Sequence, residues 1–177
     1  MEKYRLTPCI SAEELEKQVN RLADQINHDY AGKQLVLVGI LKGSIVFLAD
    51  LMRRLTMPVE IDFVRMSSYG MGAESCGTVH ISKDVELSIQ DHHVLIVEDI
   101  IDTGYTLRYL VDYLASRHPK SVKVCALIDK YERRKVDFQA DYVGIRLEKG
   151  FIVGYGLDYA EKHRNLPAIC EVQFEEQ

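Results

Sequence analysis

Residues 94–107, Val-Leu-Ile-Val-Glu-Asp-Ile-Ile-Asp-Thr-Gly-Tyr-Thr-Leu, constrain the fold more than any other stretch of the chain. Val94–Val97 is an apolar run rich in β-branched residues, the pattern of a buried strand. From Leu107 onward, Leu110, Val111 and Leu114 return at helical spacing. Between strand and helix stand three acids, Glu98, Asp99 and Asp102, and the small polar turn Asp102-Thr103-Gly104-Tyr105-Thr106. Such a turn at a helix start suits an anion, because the first N–H groups lack partners and the helix dipole is positive there. Gly104 lets the backbone come close to a ligand, and Thr103 and Thr106 add hydroxyl donors. The acids cannot hold phosphate themselves. Glu98 and Asp99 suit a hard divalent cation such as Mg²⁺, or the hydroxyls of a sugar. Asp102, nearest the turn, suits a proton acceptor. An isolated acid pair here would be ordinary helix capping; the full fourteen-residue arrangement argues for a ligand site.

A chain of 177 residues is one domain's worth, long enough for a sizeable core. Hydrophobic content of 47% and charged content of 28% describe a soluble globular protein. With a net charge of −5 and no basic run, a nucleic-acid surface is not expected. No leader-like apolar region and no stretch near ~20 apolar residues is visible, so a cytoplasmic protein without membrane contact is expected. Cys9, Cys76, Cys125 and Cys170 are scattered, as reduced thiols are. The six His show no zinc-ligand spacing.

Ser11-Ala-Glu-Glu14 is a capping box and predicts a helix with Leu15, Val19, Leu22, Ile26 and Tyr30 on one face, ending at Gly32-Lys33. Leu35–Leu41 reads as a central strand of a parallel sheet. Lys42-Gly43-Ser44 follows, then a helical pattern over Ile45–Leu55. This second strand–loop–helix unit offers backbone N–H groups to a pyrophosphate, although it lacks P-loop spacing. Val59–Met66 has strand character. Ser67 to Gly77, rich in Gly and Ser, reads as a long loop, with Thr78–Ser82 as the returning strand. Ser121–Ile128 is a further strand. Lys130 sits at its carboxyl end, the edge where open α/β sheets bind ligands. The charge run from Glu132 reads as a solvated face. Tyr142–Ile145 is a short strand.

The 94–107 stretch resembles the phosphoribosyl-pyrophosphate motif of the type I phosphoribosyltransferases, and its form Val-Glu-Asp-Ile-Ile-Asp-Thr-Gly is most similar to the hypoxanthine-guanine branch. Phe151-Ile-Val-Gly-Tyr-Gly-Leu-Asp-Tyr159 resembles that branch's second diagnostic stretch, with Ile152 in place of Val. The matching motifs run in family order from about Leu35 to Leu166. Ser44 stands where many relatives have a second glycine. The resemblance implies an α/β fold with a mostly parallel central sheet flanked by helices, in a single domain over 1–177. It also implies a lid over about 67–82, beginning with Ser68 and Tyr69, and a small hood mainly over about 146–177.

Residue roles follow from the same resemblance. The loop from Asp102 through Thr103, Gly104, Tyr105 and Thr106 would hold a 5′-phosphate, and Glu98 and Asp99 the ribose hydroxyls and a metal. Lys42, Gly43 and Arg164 would bind pyrophosphate, the Leu41–Lys42 peptide often being cis in the family. Lys130 would contact a purine's exocyclic oxygen, Phe151 would stack on the base, and Ile152 would meet its edge through the backbone. Asp158 would help to hold a second Mg²⁺, and Asp102 would be the general base. The implied reaction moves phosphoribose from phosphoribosyl pyrophosphate to hypoxanthine or guanine, giving IMP or GMP, in a homodimer or homotetramer. A pyrimidine- or adenine-specific relative is disfavoured by Lys130 and the 151–158 stretch. A non-catalytic sensor of phosphoribosyl pyrophosphate with this fold is the other alternative; the intact Glu98, Asp99 and Asp102, together with the negative net charge, argue against it.

Overall fold

The structure is a computed structural model that describes residues 3–69 and 78–175, with the side chains of Ser68, Tyr69 and Thr78 outside that description. Six strands form the main sheet: β2 (Leu35–Leu41), β3 (Val59–Tyr69), β4 (Thr78–Lys83), β5 (His93–Ile101), β6 (Ser121–Lys130) and β7 (Tyr142–Leu147). Their order is β4-β3-β2-β5-β6-β7, and every pairing is parallel except β3 with β4. Helices α1 (Ala12–Asp29), α2 (Ile45–Met52) and α3 (Tyr105–Ala115) cover its faces.

Alternation along the strands sorts side chains between two cores. Leu35, Leu37, Leu95, Val97, Cys125 and Leu127 pack with the apolar stripe of α1 and with α2. Their neighbours Val36, Val38, Val94, Ile96, Val124 and Ala126 pack with Leu107, Leu110 and Leu114 of α3. Burial on both faces accounts for strands that read as continuous apolar runs.

The expected elements are present, with informative differences at their ends. Ser11 caps α1 through its hydroxyl, which accepts from Glu14 N at 3.2 Å. Helix α2 stops at Met52 rather than Leu55; there the chain tightens into turns closed by Arg54 N to Leu51 O and Leu55 N to Met52 O. The long loop expected to start at Ser67 starts later, because β3 runs on to Tyr69 and pairs with Thr78 of β4. Ser68 and Tyr69 thus lie in strand. The centre of the expected lid, 70–77, lies outside the described residues.

A second sheet of three antiparallel strands, order β1-β9-β8, lies apart from the first: β1 (Tyr4–Ile10), β8 (Ile152–Val153) and β9 (Ile169–Phe174). The hood is expected mainly over about 146–177, and this sheet also takes an edge strand from the N-terminal segment. No helix among the described residues is long and apolar enough to cross a membrane.

Candidate active site

The site forms where the carboxyl ends of β2, β5 and β6 meet. All three acids of the central motif are placed by one strand and its turn, but not quite as its sequence pattern reads. β5 extends through Ile101, paired with β6 as far as Asp129, so Glu98 and Asp99 are strand residues and project from opposite faces.

Glu98 lines a cleft of about 250 Å³ with Asp102, Thr103, Gly104 and Thr106. Its Oε2 is buried and has no hydrogen-bond partner. Burial, reinforced by the charge of Asp99, raises its carboxyl well above the usual range. Asp99 is raised too, chiefly by burial, against hydrogen bonds from Glu98 and from its neighbour Ile100 N at 2.8 Å. Of the two carboxyls, Glu98 holds a proton the more tightly. Asp99 lies against the Cα of Gly43, where a Cβ would fall 1.7 Å from Oδ2. The Gly43 carbonyl in turn occupies the space a Cβ on Gly156 would need, at 2.1 Å. Two glycines thus let the 42–44 loop, the acid strand and the 154–156 turn converge. The Leu41–Lys42 peptide in this loop is cis. Ser44 is fully buried, its hydroxyl donating to Ile40 O at 2.7 Å.

The turn after β5 opens α3 with Gly104 at φ 86°, in the left-handed region. No side chain caps this helix, so its first N–H groups face the cleft unclaimed by a cap. The Tyr105 ring is 45% exposed, which leaves its backbone as its contribution to the turn. Asp102 faces two cations: Oδ1 lies 3.4 Å from Lys130 Nζ and Oδ2 3.4 Å from Arg133 Nη1. Lys130 is 8% exposed and also reaches Gly150 O at 3.4 Å, beside Phe151. The Phe151 ring is exposed, edge-on to Tyr159 at 5.5 Å and tilted against Phe174 at 6.1 Å. Ile152 is buried on β8 opposite Glu171.

On the other side of Gly43, Arg164 donates to Gly156 O at 2.8 Å and pairs with Asp158 at 2.8 Å. Its Nε is buried without a partner. Lys42 meets Glu161 at 2.7 Å, and Glu161 also lies 3.4 Å from Arg164. Sequence reasoning gave Glu161 no role. The turn that carries it sets Ala160, Glu161 and His163 at positive φ, a sign of a constrained loop.

A family profile described as "Phosphoribosyl transferase domain" matches residues 11–160. The chain belongs to the phosphoribosyltransferase family. It is 44% identical over 170 residues to the hypoxanthine-guanine phosphoribosyltransferase of Aquifex aeolicus, covering 96% of each chain. With the hypoxanthine phosphoribosyltransferase of Haemophilus influenzae it shares 45% over 179 residues, 99% of this chain and 100% of that one. Among solved structures, a hypoxanthine phosphoribosyltransferase from Staphylococcus aureus superposes with a TM-score of 0.90 at 45% identity, covering 94% of this chain and 90% of that one. The fold is that of the type I phosphoribosyltransferases, as the motifs imply.

In this phosphoribosyltransferase Glu132, Arg133 and Lys135 are exposed, as the charge run implies, and Arg134 is the exception. Arg133 reaches Asp102, and Arg134 is largely buried, its guanidinium on Asp129, Asp102 O at 3.2 Å, Lys130 O at 3.3 Å and Phe138 O at 2.5 Å. The segment is solvated apart from Arg134, whose bracing contacts only the tertiary setting shows.

Among the described residues, no three or more of His, Cys, Asp and Glu converge into a metal cage. The donors present nevertheless fit Mg²⁺, which is commonly held by one or two carboxylates together with substrate oxygens and water. The partnerless Glu98 Oε2, the carboxylate of Asp99 against Gly43, and Asp158 are hard oxygen donors of that kind.

Glu98 also carries a stability prediction. Its folded-state affinity for a proton exceeds that of the unfolded chain, so stability falls as pH rises above the unfolded carboxyl range of about 4.3. Glu98→Gln removes that penalty. Without ligand it is expected to melt about 2–4 °C higher near neutral pH, roughly 1 kcal/mol in a chain this size, with the gap narrowing toward acid. A gap of the same size at every pH would contradict the assignment.

Proposed function

We propose that this phosphoribosyltransferase serves purine salvage, transferring 5-phosphoribose from phosphoribosyl pyrophosphate to hypoxanthine or guanine to give IMP or GMP and pyrophosphate. The observation that carries the reading is the facing pair Lys130 and Asp102, beside an uncapped helix start at the same sheet edge. The names of its relatives agree with it.

Breaking the anomeric C–O bond leaves a highly charged pyrophosphate and a ribose of oxocarbenium character. The chemistry that Mg²⁺ supplies when bound is neutralisation of that leaving charge; Glu98, Asp99 and Asp158 would hold it. Glu98 and Asp99 also orient the ribose hydroxyls. The backbone of Lys42 and Gly43 and the Arg164 fork bind pyrophosphate, and the Asp102–Thr106 turn binds the 5′-phosphate. Phe151 stacks on the purine with Ile152 at its edge. The lysine ammonium, a donor only, pairs with the 6-oxo group. Asp102 accepts the proton the base loses as its nitrogen attacks. Ser68 and Tyr69, at the end of β3, open the lid that keeps water from the reacting centre. Exposed Ile45, Tyr105 and Tyr109 support a homodimer or homotetramer. A cytoplasmic setting goes with this chemistry.

Chromatographic detection of IMP from hypoxanthine, phosphoribosyl pyrophosphate and Mg²⁺ tests the reading. Tight binding of phosphoribosyl pyrophosphate with no nucleotide formed would favour a non-catalytic sensor instead.

Glu161 pairs with both cations assigned to pyrophosphate, and its carboxyl is lowered chiefly by the bond from Lys42. Glu161→Gln is expected to tighten pyrophosphate binding about two- to fivefold, the scale of an exposed ion pair. Titration calorimetry with pyrophosphate measures this; weaker binding would show that Glu161 helps the ligand rather than competing with it.

A further inference from the structure

We infer that Arg134 is a positioning residue that holds the phosphate turn and the general base in register with the purine-recognition strand. This rests on the function proposed above. The turn between β5 and α3 has two backbone carbonyls to satisfy, and both are met from the 134–135 segment: Asp102 O by Arg134 Nε at 3.2 Å, Thr103 O by Lys135 N at 3.0 Å. The next residue, Gly104, packs on the same segment: a Cβ there would fall 2.8 Å from Val136 Cγ2 and 3.3 Å from Arg134 Cδ. One side chain therefore touches the turn through a hydrogen bond and through packing.

The same guanidinium reaches in three other directions. Its terminal nitrogens bond the Asp129 carboxylate and Lys130 O on β6, and Phe138 O at the far end of the 131–138 loop. Asp129 and Lys130 are the last residues of the strand that presents the Lys130 ammonium. Arg134 thus ties the peptide of the proton acceptor to the peptide of the base-recognising lysine. Only arginine can do this, because its planar fork carries five donors aimed in fixed directions, while lysine offers a single point charge. The site needs such a tie. The phosphate turn has no strand partner of its own, and a misplacement of about 1 Å between reacting groups can cost on the order of a hundredfold in rate.

The test is Arg134→Ala and Arg134→Lys in the full chain, each compared with wild-type protein in parallel. Calorimetry with IMP and with inosine, which lacks the phosphate, is the decisive readout. IMP should bind about ten- to a hundredfold more weakly to both variants, with inosine changed less than about threefold on the same scale, and kcat should fall together with a rise in KM for phosphoribosyl pyrophosphate. Millimolar guanidinium should restore part of the alanine variant's rate. Arg134→Lys keeps the charge beside Asp129, so it carries the test should alanine not fold. A folded variant that binds IMP as wild type does, or that loses IMP and inosine equally, would overturn the inference. Wild-type protein that forms no nucleotide would instead overturn the function on which it rests.

Discussion

Asp102→Asn is expected to lower turnover by about 10²–10⁴-fold, the usual contribution of a positioned general base, while phosphoribosyl pyrophosphate continues to bind. Asparagine matches aspartate in shape but cannot take a proton. The backbone that places it is unchanged by the substitution: Asp102 O stays on Arg134 Nε and Thr103 O on Lys135 N. The side chain is well set for transfer. Oδ1 is buried with no hydrogen bond and lies 3.4 Å from Lys130 Nζ, so an incoming purine meets an acceptor with a free lone pair and a donor beside it. Steady-state kcat with hypoxanthine measures the loss, and calorimetry with phosphoribosyl pyrophosphate measures what is kept. Unchanged turnover would remove Asp102 from the base role.

Lys130→Ala is expected to abolish most of the discrimination between 6-oxo and 6-amino purines. A site built to hydrogen-bond one group rejects a mismatched analogue by about 10⁴–10⁵-fold, so loss of the ammonium should bring the kcat/KM ratio of hypoxanthine to adenine down by at least two orders of magnitude of that range. Efficiency with hypoxanthine should fall at the same time, because the donor for its oxygen is gone. The fold should survive, since the rest of β6 remains paired on both sides. Competition assays with hypoxanthine and adenine give the ratio. A variant that rejects adenine as firmly as wild type does would place specificity elsewhere in the pocket.

What the sequence makes legible is what local pattern can carry. Val94–Val97, Leu35–Leu41 and Val124–Ile128 announce buried parallel strands because both faces are covered and the runs are apolar throughout. Ser11 announces a helix because its cap is satisfied three residues away. The acids and the Asp102–Thr106 turn stand out because helix-start chemistry is local too. The N-terminal strand Tyr4–Ile10 is hard to see for the opposite reason: its partner, Ile169–Phe174, lies at the other end of the chain, and the short alternation of Tyr4 and Leu6 with Arg5 and Thr7 is interrupted by Pro8. Arg134 reads as a surface charge because nothing in its neighbourhood in sequence reveals Asp102 O, which is 32 residues away. Glu161 is missed because Lys42 is 119 residues away. Contacts between segments distant in sequence, rather than weak propensities, account for the differences.

The most direct test of the central claim is a spectrophotometric assay with phosphoribosyl pyrophosphate and Mg²⁺, offering hypoxanthine, guanine, adenine and uracil in parallel and an EDTA control for each. The account predicts IMP and GMP from the two 6-oxopurines, nothing from adenine or uracil, and loss of the signal with EDTA that added Mg²⁺ restores. Product from adenine or uracil in preference to hypoxanthine, or silence on every base from folded protein, would contradict it.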